Sequence, residues 1–147
     1  MNTSIATLLA GKGRALHAVP TTVTVIEAVQ KMNQHKVGAV LVMDGDKLAG
    51  IFTERDVLTR VIAANLDPKV TPITKAMSAN VLTVAPEATV QEVMDIFADK
   101  RCRHLPVIEH GKLVGLISIG DVSRWVANSH RAEAESLRQY IAGALTT

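Results

Sequence analysis

The stretch Gly50-Ile51-Phe52-Thr53-Glu54-Arg55-Asp56-Val57 recurs 65 positions later as Gly115-Leu116-Ile117-Ser118-Ile119-Gly120-Asp121-Val122. Each copy reads glycine, two apolar residues, a hydroxyl residue, two variable residues, aspartate and valine. The apolar residues after the glycine predict a strand. A Thr or Ser followed three residues later by an acid is typical of a helix N-terminus with a capping box. The sequence therefore predicts, twice, a strand that runs directly into a helix.

A junction of this kind has two interpretations. The free N–H groups and the dipole of a helix N-terminus favour a phosphate, while the acid, which a phosphate would repel, suits the two hydroxyls of a ribose. The alternative is that Thr53 with Asp56, and Ser118 with Asp121, only cap their helices.

The duplicated stretch belongs to a larger repeat. Shifted by 65, the chain matches itself without a gap from Val19/Val84 to Val57/Val122, so the capping box Thr24–Glu27 recurs as Thr89–Glu92. The pattern of each copy predicts the order β-α-β-β-α. Two copies, each too small to bury its own apolar face, predict an α+β fold with pseudo-twofold symmetry.

The repeat defines the predicted organisation of the chain. A lead-in spans 1–15, repeat 1 spans 16–64, a linker spans 65–80, repeat 2 spans 81–126 and a helical tail spans 127–147. In the second helix of repeat 1, predicted over 54–64, the spacing places Val57, Leu58, Val61 and Ile62 inward. In the tail, Leu137, Tyr140, Ile141 and Ala144 form an apolar stripe. This stripe should pack on repeat 1 or on another subunit, and we expect a subunit.

Composition excludes several classes of protein. The net charge of +2 and the 3% of aromatic residues argue against a nucleic-acid partner. The single cysteine, Cys102, excludes an internal disulfide, and no apolar run approaches the length of a membrane span. We therefore expect no membrane association and a cytoplasmic location. The five histidines show no metal-ligand spacing, and no nucleophile motif is present.

With these features, the chain resembles a tandem pair of CBS (cystathionine-β-synthase) domains with no other domain attached. The resemblance rests on the two closing motifs and on Arg103-His104-Leu105-Pro106-Val107, and it covers about residues 16–126. It implies a regulatory module that binds an adenosine-containing ligand in clefts between the repeats. AMP is the ligand we favour, with ATP or NAD(H) as alternatives. A homodimer is also implied.

The resemblance also assigns roles to individual residues. Asp56 and Asp121 would hold the ribose, and Thr53 and Ser118 would contact the phosphate. The adenine wall is predicted to comprise His104, Leu105, Pro106 and Ile117 in one cleft and Gly38, Ala39, Val40 and Ile51 in the other, and Thr83 would touch base or sugar. Repeat 1 lacks the Arg-His-Leu-Pro sequence, so equal occupancy of the two clefts is in doubt.

Positive charges near the junctions are further candidates for contacts with a phosphate. Arg55 and Arg103 rank highest because they lie inside the motifs, and Arg101 is close by. Lys12 lies in Gly11-Lys12-Gly13-Arg14, which is either a flexible turn or a mobile basic flap over the phosphate.

Three functions remain open from the sequence. The favoured one is a non-enzymatic sensor whose occupancy is read by an unidentified protein partner. The second is a nucleotide-processing enzyme with Asp56 or Asp121 as base, assisted by His104. The third is a purely structural dimerisation module.

Overall fold

The computed structural model of the protein describes residues 2–12 and 16–145, with the backbone alone for 144 and 145. The elements of the first half are α1 (Ile5–Lys12), β1 (Ala18–Pro20), α2 (Val25–His35), β2 (Ala39–Asp44), β3 (Lys47–Thr53), α3 (Glu54–Asp56) and a π-helix (Val57–Ile62). The second half has a 3₁₀ turn (Ile73–Lys75), α4 (Val90–Lys100), β4 (His104–Glu109), β5 (Lys112–Ser118) and α5 (Ile119–Leu145). The α+β repeat architecture is thereby confirmed. Gly13 and Arg14, half of the predicted basic flap, lie outside the described residues.

The two repeats differ in their first strand. In repeat 1, β1 pairs in parallel with β2, and β2 forms an antiparallel hairpin with β3. In repeat 2, β4 and β5 form the equivalent hairpin, but the first strand is reduced to one bridge between Val84 and Val107. The difference has a cause in the sequence, since the N–H of Leu41 donates to His17 O (3.0 Å) and its counterpart Pro106 has no N–H to donate.

Each repeat core is completed by the segment that precedes the other repeat. Ile5 of α1 is wholly buried in the core of repeat 2, and Ile73 of the linker is wholly buried in the core of repeat 1. The two isoleucines bond to equivalent positions of the two repeats. Ile5 N donates to Ala88 O (2.7 Å), and Ile73 N donates to Val23 O (3.0 Å), the residue 65 positions before Ala88. The chain therefore crosses between its halves twice, which fixes them against each other.

A third apolar cluster joins the repeats. Ala39, Leu41 and Ile51 of the first hairpin are buried there, and Leu113 and Leu116 of β5 pack against them. The ends of β3 and β5, which carry the two duplicated motifs, consequently lie on the same part of the molecule.

The second helix of repeat 1 differs from the prediction. Val61 is buried, but the side chains of Leu58 and Ile62 are 65% and 62% exposed, so their predicted inward position is wrong. The helix presents one face to the core, which Val57 and Val61 fill, while Leu58 and Ile62 lie on the outer face. The hydrogen bonding of this segment is π-helical, with Ala63 N donating to Leu58 O five residues earlier (2.9 Å).

The tail is part of one continuous helix with the end of repeat 2. Leu137, Tyr140 and Ile141 on α5 are 59%, 76% and 49% exposed. Packing of these three residues on repeat 1 is therefore wrong, while a contact with another subunit stays a prediction. The side chain of Ala144 lies outside the described part.

Candidate functional site

The junction at the end of β3 holds a buried carboxylate in a complete capping box. Asp56 N donates to Thr53 Oγ1 (3.3 Å), and Asp56 Oδ2 accepts from Thr53 N (3.0 Å) and Thr53 Oγ1 (3.2 Å). The other oxygen, Oδ1, has only long contacts with Ser78 Oγ and Arg60 Nε, both 3.4 Å. Asp56 is 6% exposed. One oxygen thus orients the side chain, and the other is weakly engaged.

The equivalent junction in repeat 2 is fully engaged. Asp121 Oδ2 accepts from Ser118 N (2.8 Å) and from the ammonium of Lys12 (2.7 Å), and Oδ1 accepts from Arg124 (2.5 Å). Lys12 Nζ also donates to the carbonyl of Leu116 (2.7 Å). Both oxygens of Asp121 are therefore held by positive charges of this chain itself.

The surroundings of Asp121 change its acidity. Burial raises the pKa of Asp121, but the bonds from Lys12 and from Ser118 lower it by more, and the net pKa lies below the usual value. The carboxylate is therefore ionised through the physiological range of pH.

A cavity of about 810 Å³ opens between the two repeats beside Asp56. Its walls come from both halves: the end of β3 with Thr53 and Arg55, the linker at Asn80 to Leu82, and the start of repeat 2's hairpin at His104. The volume lies in the upper part of the usual range for small-molecule sites, about 300–1,000 Å³. We call this cavity the inter-repeat cleft.

The inter-repeat cleft contains nine of the residues predicted from the sequence. These are Gly38, Ile51, Thr53, Arg55, Asp56, Arg101, Arg103, His104 and Ser118. The sequence assigned His104 to a different cleft from Gly38 and Ile51, and that separation is wrong. All three lie in one cleft, because the third apolar cluster places the ends of β3 and β5 together.

Five other predicted residues are buried in the strands: Ala39, Val40, Leu105, Pro106 and Ile117. The side chains of Val40, Leu105 and Ile117 belong to the repeat cores and are wholly buried. None of these three residues exposes its side chain or its backbone, so their contact with an adenine stays a prediction. Thr83 is exposed and is not among the residues of the cleft wall.

Asp121 and Lys12 lie outside the inter-repeat cleft. Lys12 lines a separate groove of about 690 Å³ between α1 and β5, together with Leu9, Leu16 and Leu116. A contact between Lys12 and a phosphate stays a prediction, because in the structure its ammonium holds Asp121.

The imidazole of His104 faces the cleft in its neutral form. Burial lowers the pKa of His104, and the nearby charge of Lys12 lowers it further, while Asp121 and Glu54 raise it by less. Neutral imidazole has one donor and one acceptor nitrogen, so His104 suits hydrogen bonding to an uncharged part of a ligand.

Several cleft residues were not among the sequence's site residues. Ser78 and Lys100 are the main ones. Ser78 reaches Asp56 because the linker crosses β3, with Ile51 N donating to Ser78 O (3.0 Å) and Ser78 N donating to Ile51 O (2.9 Å). No local sequence pattern predicts that the linker crosses β3. Lys100 ends a predicted helix, and only the tertiary arrangement brings it to the cleft.

Among residues 2–12 and 16–145, no three His, Cys, Asp or Glu side chains cluster in a way that could hold a metal ion. No helix in the same ranges is both long and apolar enough to cross a membrane.

Comparison with known proteins gives consistent matches. The model of the CBS domain matches residues 13–63 and 71–128. The CBS domain-containing protein CBSX3, mitochondrial, of Arabidopsis thaliana is 38% identical over 151 residues, covering 97% of this chain and 73% of that protein.

Solved structures agree with these matches. A protein with CBS domains from Burkholderia ambifaria MC40-6 is 39% identical with a TM-score of 0.81, covering 84% of this chain and 93% of that one. A CBS domain protein from Pyrobaculum aerophilum, solved in complex with AMP, is 25% identical with a TM-score of 0.73, covering 81% of this chain and 89% of that one.

Proposed function

The chain belongs to the CBS-domain family, and from that premise we propose that it is a regulatory module that binds an adenosine nucleotide in the inter-repeat cleft. CBS-pair proteins are regulatory and signal-transduction modules. The observation that carries the proposal is the Thr53–Asp56 capping box at the wall of a cleft built from both repeats. The AMP complex of the Pyrobaculum aerophilum protein supports the ligand class.

The proposal gives each part of the junction a role. Asp56 Oδ1 has only contacts of 3.4 Å, so a ribose hydroxyl can replace them with a shorter bond. The hydroxyl of Thr53 then faces the phosphate, to which Arg55 contributes charge. His104 and Ile51 line the cleft at a place suited to the base.

Signalling follows from the position of the cleft. Because the ligand would contact both repeats, its binding favours one relative arrangement of them, and a difference in affinity between arrangements is what a signal requires. The exposed face of Leu58 and Ile62 and the exposed stripe of the tail are surfaces for a second copy or for the partner that reads the state. The cytoplasmic location stays a prediction, since the Arabidopsis thaliana relative is named mitochondrial.

The test is calorimetric titration of the full chain with AMP, ATP and NADH. Asp56→Asn keeps the size of the side chain and removes its charge, and it should weaken binding roughly ten- to a hundredfold. Asp46→Asn, in the exposed turn between β2 and β3, is the matched control and should bind as the parent does.

Three results would contradict the proposal. The first is no heat with any nucleotide, as a purely structural module predicts. The second is binding that Asp56→Asn leaves unchanged. The third is conversion of the nucleotide during incubation, as an enzyme predicts; chromatography of the recovered ligand detects it.

A further inference from the structure

Four cationic side chains converge on the inter-repeat cleft without a partner. Arg55, Lys100, Arg101 and Arg103 all line it, and within residues 2–12 and 16–145 none of them forms an ion pair. The acids that line the same cleft are Glu54 and Asp56. The cleft thus carries an excess of positive charge, which favours an anion.

Local structure explains part of this cluster. Lys100 ends α4, and Arg101 follows it as the C-cap with a left-handed backbone (φ 52°). Cations are favoured at a helix C-terminus, so these two could serve the helix alone. Arg55, however, lies in α3 of the other repeat, and Arg103 is the residue before β4. Two segments from different repeats therefore place positive charge at one space, which the electrostatics of α4 does not require.

The cluster is specific to this cleft. Under the repeat, the counterparts of Lys100, Arg101 and Arg103 are His35, Lys36 and Gly38. His35 is stacked on His17 with ring centroids 4.2 Å apart, and Gly38 has no side chain. The pseudo-symmetric position in the other half therefore lacks an equal concentration of charge.

We propose that Lys100 and Arg101 bind the outer phosphates of a nucleotide, so that the inter-repeat cleft prefers adenosine di- and triphosphates to AMP. The inference rests on the proposed function and departs from the preference for AMP that the sequence favoured. Thr53 and Arg55 serve the phosphate next to the ribose, and the unpaired cations beyond them suit the further negative charge of a longer chain. The cavity of about 810 Å³ leaves room for that chain.

The test is calorimetry with AMP, ADP and ATP without divalent cations, so that the phosphates keep their full charge. The parent chain should bind ATP and ADP more tightly than AMP, and high salt should reduce the difference. In Lys100→Gln/Arg101→Asn, where Asn tolerates the left-handed backbone, affinity for ATP should fall about tenfold while that for AMP stays within about twofold.

The control is Lys36→Asn/Lys47→Gln, which removes the same charge and places Asn in an equivalent left-handed cap away from the cleft wall. It should keep the preference for ATP. Equal affinity of the parent for AMP and ATP, or an equal loss of both in the Lys100/Arg101 variant, would overturn the inference and leave the proposed function intact. Absence of binding by all three nucleotides would instead refute the proposed function.

Discussion

The ammonium of Lys12 lies 2.7 Å from Asp121 Oδ2 and equally far from the carbonyl oxygen of Leu116. Lys12 is the last residue of α1, the helix that completes the core of repeat 2. Asp56, the counterpart of Asp121, has no lysine partner within residues 2–12 and 16–145, and its contacts with Ser78 and Arg60 are long. The two aspartates occupy equivalent positions in the repeats, but only Asp56 has an oxygen available for a ligand. They differ because α1 crosses over Asp121 and brings a lysine, whereas the linker crosses over Asp56 and brings a serine.

Lys12→Gln should destabilise the fold. The carboxylate of Asp121 is 7% exposed, so losing one of its two charged partners leaves a largely buried charge held by Arg124 alone, whereas Lys12 is itself 33% exposed and part of its charge is screened. We expect the free energy of unfolding to fall by about 1–2 kcal/mol in urea titrations. The exposed Lys47→Gln is the control, with an expected change within about 0.5 kcal/mol. Equal stability of the two variants would contradict a structural role for the Lys12–Asp121 pair.

The same pair predicts a dependence on acid. Because the folded pKa of Asp121 is lowered below its unfolded value of about 3.9, the unfolded chain binds the proton more readily. The contribution of Asp121 to the free energy of unfolding is complete above the unfolded pKa and is lost as pH falls through the folded pKa. His17 and His104 also have lowered pKa values, so stability already declines between about pH 7 and 5.

Comparison with Asp121→Asn isolates the contribution of the aspartate. The stability difference between parent and variant should grow slightly from about pH 7 to 5, because Asp121 raises the pKa of His104, and it should shrink below about pH 4. Urea unfolding at closely spaced pH values measures it. A difference that already shrinks between pH 7 and 5 would contradict this coupling between Asp121 and His104.

The sequence predicted the parts of the fold that depend on local pattern. The caps at Thr24 and Thr89, the two hairpins and the two strand-to-helix junctions each follow from a few adjacent residues. The resemblance to CBS domains named the family correctly. The prediction failed at Leu58 and Ile62, because the core-facing side of this helix is filled by Val57 and Val61 alone.

The arrangement of the site depended on long-range crossings that local pattern does not contain. Ser78 reaches Asp56, and Lys12 reaches Asp121, only because the linker and α1 each pass over the strand of a repeat. Lys100 and Gly38 share a cleft because the third apolar cluster joins the hairpins. The motif residues could therefore be predicted from the sequence, but which of them line the same cleft could not.

The two motif glycines should differ in their response to alanine. A Cβ at Gly50 would lie 2.6 Å from the backbone oxygen of Ser78, whereas one at Gly115 would lie 2.5 Å from Cδ2 of Leu9, the end of a flexible side chain. We expect Gly50→Ala to cost about 1–3 kcal/mol, since a backbone segment must move. Gly115→Ala should cost less, because Leu9 can change rotamer. Thermal and urea unfolding provide the comparison, and a larger loss at Gly115 would contradict this account.

The contacts of Ile5 and Ile73 with the repeat cores predict that the two repeats unfold cooperatively. Ile5 and Ile73 are wholly buried, each in the repeat that its own segment does not precede directly. Ile5→Ala and Ile73→Ala should each cost about 2–5 kcal/mol. Because each segment also ties the halves together, both variants should unfold in one transition by circular dichroism and by fluorescence of Trp125 in repeat 2. Val70→Ala, at a residue 72% exposed, is the control and should change stability by less than about 1 kcal/mol. If Ile73→Ala instead melted repeat 1 while the fluorescence of Trp125 stayed native, the halves would be independent units and the crossing segments would not couple them.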